Sequence, residues 1–99
     1  MDTLLIARSV RKSTLRTRIL QRLARRGKAY PELLAEDLDV SVRDLRRAMH
    51  GRLPQYAPHL SPIRLRLAIR EGPSGRRVYA ITPLGRRVVR ELRKLRGRR

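Results

Sequence analysis

The sequence predicts an α+β domain that is mainly helical, and three patterns support this fold class. Before residue 51 and after residue 83, apolar residues recur with the spacing of amphipathic helices. Between these segments, residues 63–70 alternate between apolar and mostly basic side chains, as in a strand with one buried face. A Thr-Pro step at 82–83 joins a short apolar run to the last helical pattern. We expect one domain over 1–99, with a core at about 13–95, an N-terminal extension at 1–12 and a basic tail at 96–99.

The N-terminal part of the chain predicts one clear helix and a second, less defined element. A helix over 14–26 has Ser13 as its N-cap and Gly27 as its stop, and its apolar positions are Leu15, Ile19, Leu20, Leu23 and Ala24. The preceding "TLLIARSV" (3–10) fits a backward extension of that helix, a separate short helix or a strand. We favour a helix.

Two further helices are predicted in the middle of the chain. In "YPELLAEDL" (30–38), Pro31 suits a first helical turn, and we expect Leu33, Leu34 and Leu38 to be buried on one side. In "VSVRDLRRAMHG" (40–51), Ser41 and Asp44 have the spacing of a capped helix start, and Gly51 supplies the end. The inward side of this helix is then Val42, Leu45 and Met49, and its outward side is Arg43, Arg46, Arg47 and His50.

Proline and glycine mark the elements that follow. The three prolines of "LPQYAPHLSP" (53–62) exclude a regular helix or an interior strand, so this segment is expected to be a long ordered loop. The next strand is expected to bury Ile63, Leu65, Leu67 and Ile69. The segment "EGPSGRR" (71–77) then forms a turn, and Val78–Ile81 form the returning strand of a hairpin.

A last helix follows the hairpin directly. Thr82 is a suitable N-cap, and Pro83 fits the first helical turn. An apolar stripe of Leu84, Val88, Leu92 and Leu95 continues down this helix, whereas the tail "RGRR" has no apolar residue and is expected to fray.

The composition points to a polyanionic partner. The chain has 26 basic residues against 8 acidic ones, a formal charge of +18, and only three of the basic residues are lysine, which leaves 23 arginines. Such a chain repels itself unless it meets a polyanion. Nucleic acid is the leading partner, ahead of an anionic membrane surface or a ribosomal role. Codon bias in a GC-rich genome is an equally good source of the arginine excess.

Several other function classes are disfavoured. Without cysteine there is no disulfide, no thiolate metal site and no cysteine nucleophile. His50 and His59 are the only histidines, and Ser41, Asp44 and His50 lie on one short helix and cannot converge as a catalytic triad. We therefore expect no enzyme, no cofactor, no metal and no evident small-molecule ligand.

The cellular setting is read from what the sequence lacks. The apolar run at 4–7 is too short for a signal segment or a membrane span, so we expect no membrane and a cytoplasmic, nucleoid-associated protein. The absence of cysteine and asparagine hints at a hot habitat.

Two stretches resemble known transcription regulators. "LLAEDLDVSVRDLRRAM" (33–49) resembles the helix-turn-helix of the MarR, PadR and ArsR types, with a Leu-Ala pair before a short turn and a Ser-capped recognition helix. "GRRVYAITPLGRRVVREL" (75–92) is similar to their wing strand and following helix, in which Tyr-x-Leu-Thr-x-x-Gly recurs; here it is Tyr79, Ile81, Thr82 and Gly85. The resemblance covers about 13–95 and implies a winged helix-turn-helix with a three-helix core, a two-stranded wing and a C-terminal helix. The proline-rich loop departs from the families' usual step into the wing.

The resemblance also implies which residues contact double-stranded DNA. Ser41 becomes a phosphate-facing cap, and the helix at 42–50 enters the major groove with Arg43, Arg46, Arg47 and His50. The wing at 72–77 contacts the backbone or minor groove with Arg76 and Arg77. These roles suit the physics, since helix N-termini attract phosphate and arginine pairs with guanine edges.

Three function hypotheses remain open at this stage. A sequence-specific regulator is favoured, and a homodimer through the terminal helices is expected to match two half-sites. The alternatives are a non-specific architectural or chromatin protein and a ribosomal or RNA-associated protein. The predicted helix at 14–26 and the last helix are as basic as the helix at 42–50, which supports the alternatives. Their basic residues include Arg16, Arg18, Arg22, Arg86, Arg87 and Arg90. The apolar stripe of the last helix can instead be covered by the N-terminal segment of the same chain.

Overall fold

The computed structural model describes residues 2–52 and 58–97. These residues form five α-helices, one short 3-10 helix and a three-stranded antiparallel sheet, so the α+β, mainly helical class is confirmed. None of these helices is long and apolar enough to cross a bilayer. In chain order the elements are α1 (Thr3–Arg11), α2 (Thr14–Arg26), β1 (Lys28–Ala29), α3 (Pro31–Leu38), α4 (Val42–His50), the 3-10 helix (Pro58–Leu60), β2 (Ala68–Glu71), β3 (Val78–Ile81) and α5 (Pro83–Gly97).

Side-chain caps set the helix starts that the sequence predicts. Ser13 Oγ accepts a hydrogen bond from the backbone N–H of Arg16, and Ser41 Oγ accepts one from that of Asp44. Gly27 and Gly51 end α2 and α4. The N-terminal segment is a separate helix, because Asp2 caps it and Ser13 starts the next one. Arg96 and Gly97 of the basic tail belong to α5, and 98–99 lie outside the described residues.

The sheet contains the predicted hairpin and one strand that was not predicted. Strands β2 and β3 pair with Ala68 opposite Ile81 and Glu71 opposite Val78. On the other edge of β3, Lys28 of β1 lies opposite Ala80, so β3 is the central strand. A two-residue strand has no periodicity by which sequence alone could reveal it.

The first strand of the hairpin is shorter than predicted. Residues 62–67 form turns instead, because Ser61 Oγ accepts from the backbone N–H of Arg64 and the Pro62 carbonyl accepts from Leu67 N. Ser-Pro therefore starts a helical turn here, just as Thr-Pro starts α5. Arg66 has a φ of 58°, which ends the turn before the strand begins.

This shift of the strand start changes which side chains are buried. Leu67 and Ala68 are both fully buried, whereas Ile69, predicted to face inward, has 41% of its surface exposed. The regular alternation predicted for 63–69 is therefore wrong. Residues 53–57 of the proline-rich loop lie outside the described residues, and 58–60 of the same segment form the 3-10 helix.

The buried side chains form two clusters, and α2 contributes to both. The first cluster joins α2, α3, α4 and the sheet, and the second joins α1, α2 and α5. Ile19 and Leu23 enter the first cluster and Leu20 enters the second. In the second cluster, α1 covers the apolar stripe of α5 within the same chain, which was the alternative to a dimer interface. The members of this cluster include Ile6, Ala7, Val10, Val88, Val89, Leu92 and Leu95.

Two side chains lie in environments that the sequence pattern did not predict. Leu33 is 39% exposed, because on the two-turn helix α3 the inward positions are Leu34 and Leu38, one turn apart. Arg16 was grouped with the surface arginines but is only 4% exposed. Its Nε donates to the carbonyl of Ala48 at 2.8 Å, which ties α2 to the last turn of α4.

The start of α5 predicts a sensitive position at Gly85. A Cβ at this residue would overlap the carbonyl oxygen of Leu67 and lie 2.8 Å from Ile81 Cγ1. The Leu67 carbonyl also accepts hydrogen bonds from Thr82, so it is not free to move away. We expect Gly85→Ala to lower the free energy of unfolding by about 1–3 kcal/mol, because overpacking outweighs the gain in helix propensity. Urea unfolding checks this against Arg87→Ala, an exposed position on α5, and equal stability of the two variants would contradict the close approach.

Candidate nucleic-acid interface

A basic groove runs between α4 and the β2–β3 hairpin, with a volume of about 1430 Å³. The outward face of α4, the hairpin and the start of α3 all contribute to its lining. The residues that line it are Tyr30, Pro31, Glu32, Val42, Arg43, Arg46, Arg47, His50, Arg52, Arg70, Ser74, Gly75, Arg76, Arg77 and Tyr79.

The charge of the groove is almost entirely positive. Seven arginines line it against one carboxylate, that of Glu32. Arg46 Nη2 lies 3.4 Å from Glu32 Oε1, but both side chains are more than half exposed, so this ion pair is weak. Among the described residues, the other six arginines of the groove have no carboxylate within ion-pair distance. The groove is therefore a concentrated positive field on one side of the protein.

Helix α4 presents these charges because its opposite face is anchored. Leu45, Ala48 and Met49 are fully buried, which turns Arg43 and Arg46 out to solvent and leaves Arg47 half-buried at the side. At the helix start, Ser41 is exposed, and its Oγ already accepts the Asp44 N–H while its own hydroxyl proton stays available. Ser41 does not line the groove but lies at the end of the same helix.

The hairpin turn brings two further arginines, Arg76 and Arg77, to the groove. Gly72 and Gly75 have φ values of 97° and 87°, a backbone conformation that side chains rarely adopt, and Arg76 N donates to the Pro73 carbonyl. Residues 71–77 are exposed throughout, so Arg76 and Arg77 reach the groove without packing against the core.

A histidine–tyrosine pair forms part of the lining. His50 Nε2 lies 2.9 Å from the hydroxyl of Tyr79, with the two rings tilted by 48°. Burial, and then the charges of Arg70, Arg52 and Arg46, lower the pKa of His50 from its ordinary value of 6.5. Burial raises the pKa of Tyr79. The lowered pKa favours a neutral imidazole, and its Nε2 shares one hydrogen bond with the Tyr79 hydroxyl.

The structure brings most of the residues predicted from sequence into one site. Six of the seven line the groove, and Ser41 lies outside it. Sequence reasoning missed Arg52, Arg70 and the half-exposed Tyr30. Arg70 lies on the outward side of the predicted strand and Arg52 follows the helix-ending Gly51, and these were the available signals.

Metal ligands do not cluster in this part of the protein. The described residues contain no group of three or more His, Cys, Asp or Glu side chains placed to hold an ion. What the groove offers chemically is guanidinium, hydroxyl and imidazole groups, which bind anions by hydrogen bonds and charge.

Fold and groove together define a small α+β protein with an arginine-rich surface groove. The family described as EarA-like matches residues 6–92, a span that runs from α1 into α5 and includes the whole groove. The chain belongs to this family. No curated protein and no solved structure matches the chain significantly. The resemblance to the MarR, PadR and ArsR types stays a prediction.

The His50–Tyr79 pair predicts a component of stability that depends on pH. Because the folded-state pKa of His50 lies below 6.5, the unfolded chain binds this proton more readily. The stabilisation is complete above about pH 6.5 and is lost as the pH falls through that value towards the folded-state pKa. Urea unfolding between about pH 7.5 and about pH 5.5 should show a larger loss for the native chain than for His50→Gln, which cannot titrate. Parallel pH profiles would contradict the assignment.

Proposed function

We propose that this protein binds double-stranded DNA as a winged helix-turn-helix transcription regulator. The observation that carries the proposal is the charge of the groove. Its lining has seven arginines, from α4, its C-terminal flank and the hairpin, and one carboxylate. A duplex carries a negative charge about every 1.7 Å along its axis, and arginines aligned on one surface release the counterions that neutralise it.

The arrangement of elements supports the winged-helix part of this proposal. Helices α3 and α4 are joined by three residues, 39–41, and Asp39 takes a left-handed conformation with φ 56° that lets the chain turn sharply. Helix α4 leads to a two-stranded hairpin whose exposed tip carries Arg76 and Arg77. In this type of domain the second helix of the pair enters the major groove, and a groove about 12 Å wide admits one α-helix.

Contacts to bases and contacts to phosphates fall on different residues. Arg43, Arg46 and Arg47 lie on the outward face of α4, where a guanidinium can donate two hydrogen bonds to guanine O6 and N7. Ser41 lies at the helix N-terminus, where its hydroxyl and the free amides favour a phosphate. Arg76 and Arg77 on the hairpin are placed for the backbone or minor groove.

The way in which α4 is anchored to the rest of the protein favours recognition of a base sequence over non-specific binding. Arg16 holds the Ala48 carbonyl and Tyr79 holds His50, so the last turn of α4 is fixed from two other elements. Base recognition needs side chains held in register, whereas phosphate attraction does not. The arginines on α1, α2 and α5 keep the architectural alternative open. Single-stranded RNA is less favoured, since Tyr30 is the one groove aromatic that is exposed in the described part of the chain. A duplex-DNA partner also implies a cytoplasmic, nucleoid-associated location.

The decisive experiment is selection from random duplex DNA at about physiological salt, followed by titration of the enriched duplex and a scrambled one. We expect an enriched motif and a log–log salt slope near about −5, from contacts to about six phosphates. Arg46→Ala and Arg47→Ala should lose discrimination worth about 1–3 kcal/mol between the two duplexes. Arg76→Ala should weaken both duplexes evenly and reduce the salt slope by about 1.

Two results of this experiment count against the proposal. A flat selection with equal weakening by all three variants supports an architectural protein and not a regulator. A slope shallower than about −2 shows that charge does not dominate the affinity.

A homodimer through the terminal helices remains part of the proposal. Leu92 is 3% exposed inside its own chain, so its substitution would unfold the protein and is no test of an interface. Leu5 of α1 is 59% exposed, so a dimer contact through this helix would use its side chain. Light scattering at moderate salt should give the mass of a dimer, and Leu5→Arg should halve it. A monomeric mass for the native chain overturns the dimer.

A further inference from the structure

A second basic surface lies on the helices that do not form the groove. Helices α1, α2 and α5 together carry thirteen arginines and lysines against one carboxylate, that of Glu91. Some of these cations have structural roles, such as Arg16 on Ala48 and Arg86 Nη1, which donates to the Ala24 carbonyl at 3.0 Å. The remaining charge is almost entirely positive, and a polyanion bound there would relieve the repulsion among these like charges.

Part of this surface is a notch with a volume of about 360 Å³ between α1, α2 and α5. Arg11 lies at the C-terminal end of α1, and Arg96 lies in the last turn of α5. Neither side chain has an ion pair among the described residues, and no carboxylate lines the notch. The remaining lining residues are Thr14, Thr17, Arg18, Gln21 and Leu92, none of which lines the groove.

The chemistry of the notch fits a phosphodiester backbone better than an acidic protein. Thr17 Oγ1 and Arg18 Nη2 already donate to backbone carbonyls within the protein. Arg11, Arg96, Thr14 and Gln21 still supply guanidinium, hydroxyl and amide donors, the usual set of groups that contact DNA phosphates. Protein interfaces are anchored by large apolar or aromatic side chains in desolvated pockets. The apolar residue of the notch, Leu92, is 3% exposed and is already used by the core.

We propose that this notch binds the phosphate backbone of a second nucleic-acid segment, so that one chain bridges two duplexes. The inference rests on the proposed function only in taking the groove as the first duplex site. Groove and notch share no lining residue and are formed by different helices, and Leu5, the residue proposed for the dimer contact, lines neither of them.

The test compares two variants that each remove two positive charges from exposed positions. Arg11→Gln with Arg96→Gln alters the notch, and Arg87→Gln with Arg93→Gln alters the same layer outside both the notch and the groove. One duplex is immobilised on beads, and capture of a second, fluorescent duplex is measured. Binding of a single duplex is measured separately by anisotropy, and thermal melting confirms that each variant is folded.

We expect the notch variant to lose at least about tenfold in capture of the second duplex, with a salt slope for capture lower by about 2. Its affinity for a single duplex should change by less than about threefold, and the control variant should keep its capture. Arg11→Gln alone should show an intermediate loss, which provides a second reading if the double variant melts early.

Three outcomes overturn the inference. Equal loss in the two double variants shows that diffuse charge causes the capture. Capture that depends on Arg76 and not on the notch shows that bridging comes from two grooves in a self-associated protein. Competition by polyglutamate that is stronger than competition by duplex assigns the notch to an acidic protein. Failure of the native chain to bind even a single duplex is a separate result, and it counts against the proposed function.

Discussion

The contact between Tyr79 and His50 joins the core of this protein to its surface. The Tyr79 ring is 2% exposed and packs in the first cluster, on the strand that pairs with both other strands of the sheet. Its hydroxyl meets His50 in the lining of the groove at 2.9 Å. Because one side chain belongs to both regions, the position of α4 relative to the hairpin is set by the packing of the core. A link of this kind helps to hold the two sides of the groove at a fixed separation.

Local signals in the sequence predict a large part of the fold. Ser13, Ser41 and Thr82 each form the cap that their position before an apolar pattern indicated, and each starts a helix. The errors lie where distant residues decide the structure. Strand β1 exists only because β3 lies beside it, and Ile69 faces outward because the turns at 62–67 delay the start of β2.

The candidate site also contains some residues that local sequence patterns predict and others that only distant contacts bring into place. Arg43, Arg46 and Arg47 were predicted because a helix with an apolar face must expose the residues opposite to it. Arg70 joins them only through the approach of the hairpin to α4, which no local pattern encodes. Arg52 directly follows the end of α4 and was missed because the prediction stopped at Gly51. The burial of Arg16 could not be predicted, since a chain with 23 arginines gives no local sign of which one is buried. Its burial and the bond from its Nε to the Ala48 carbonyl arise only when α2 and α4 pack together.

The placement of α2 between the two buried clusters has a consequence for any attempt to divide the protein. Ile19 and Leu23 complete the cluster beneath the groove, and Leu20 completes the cluster under α1 and α5. A fragment that ends after Gly51 would keep α1 to α4 but remove α5 from the cluster that contains Leu20. A fragment that starts after Gly51 would contain the hairpin and α5 but none of the other α-helices against which they pack. We therefore expect neither half to fold as a module that recombination could move to another protein.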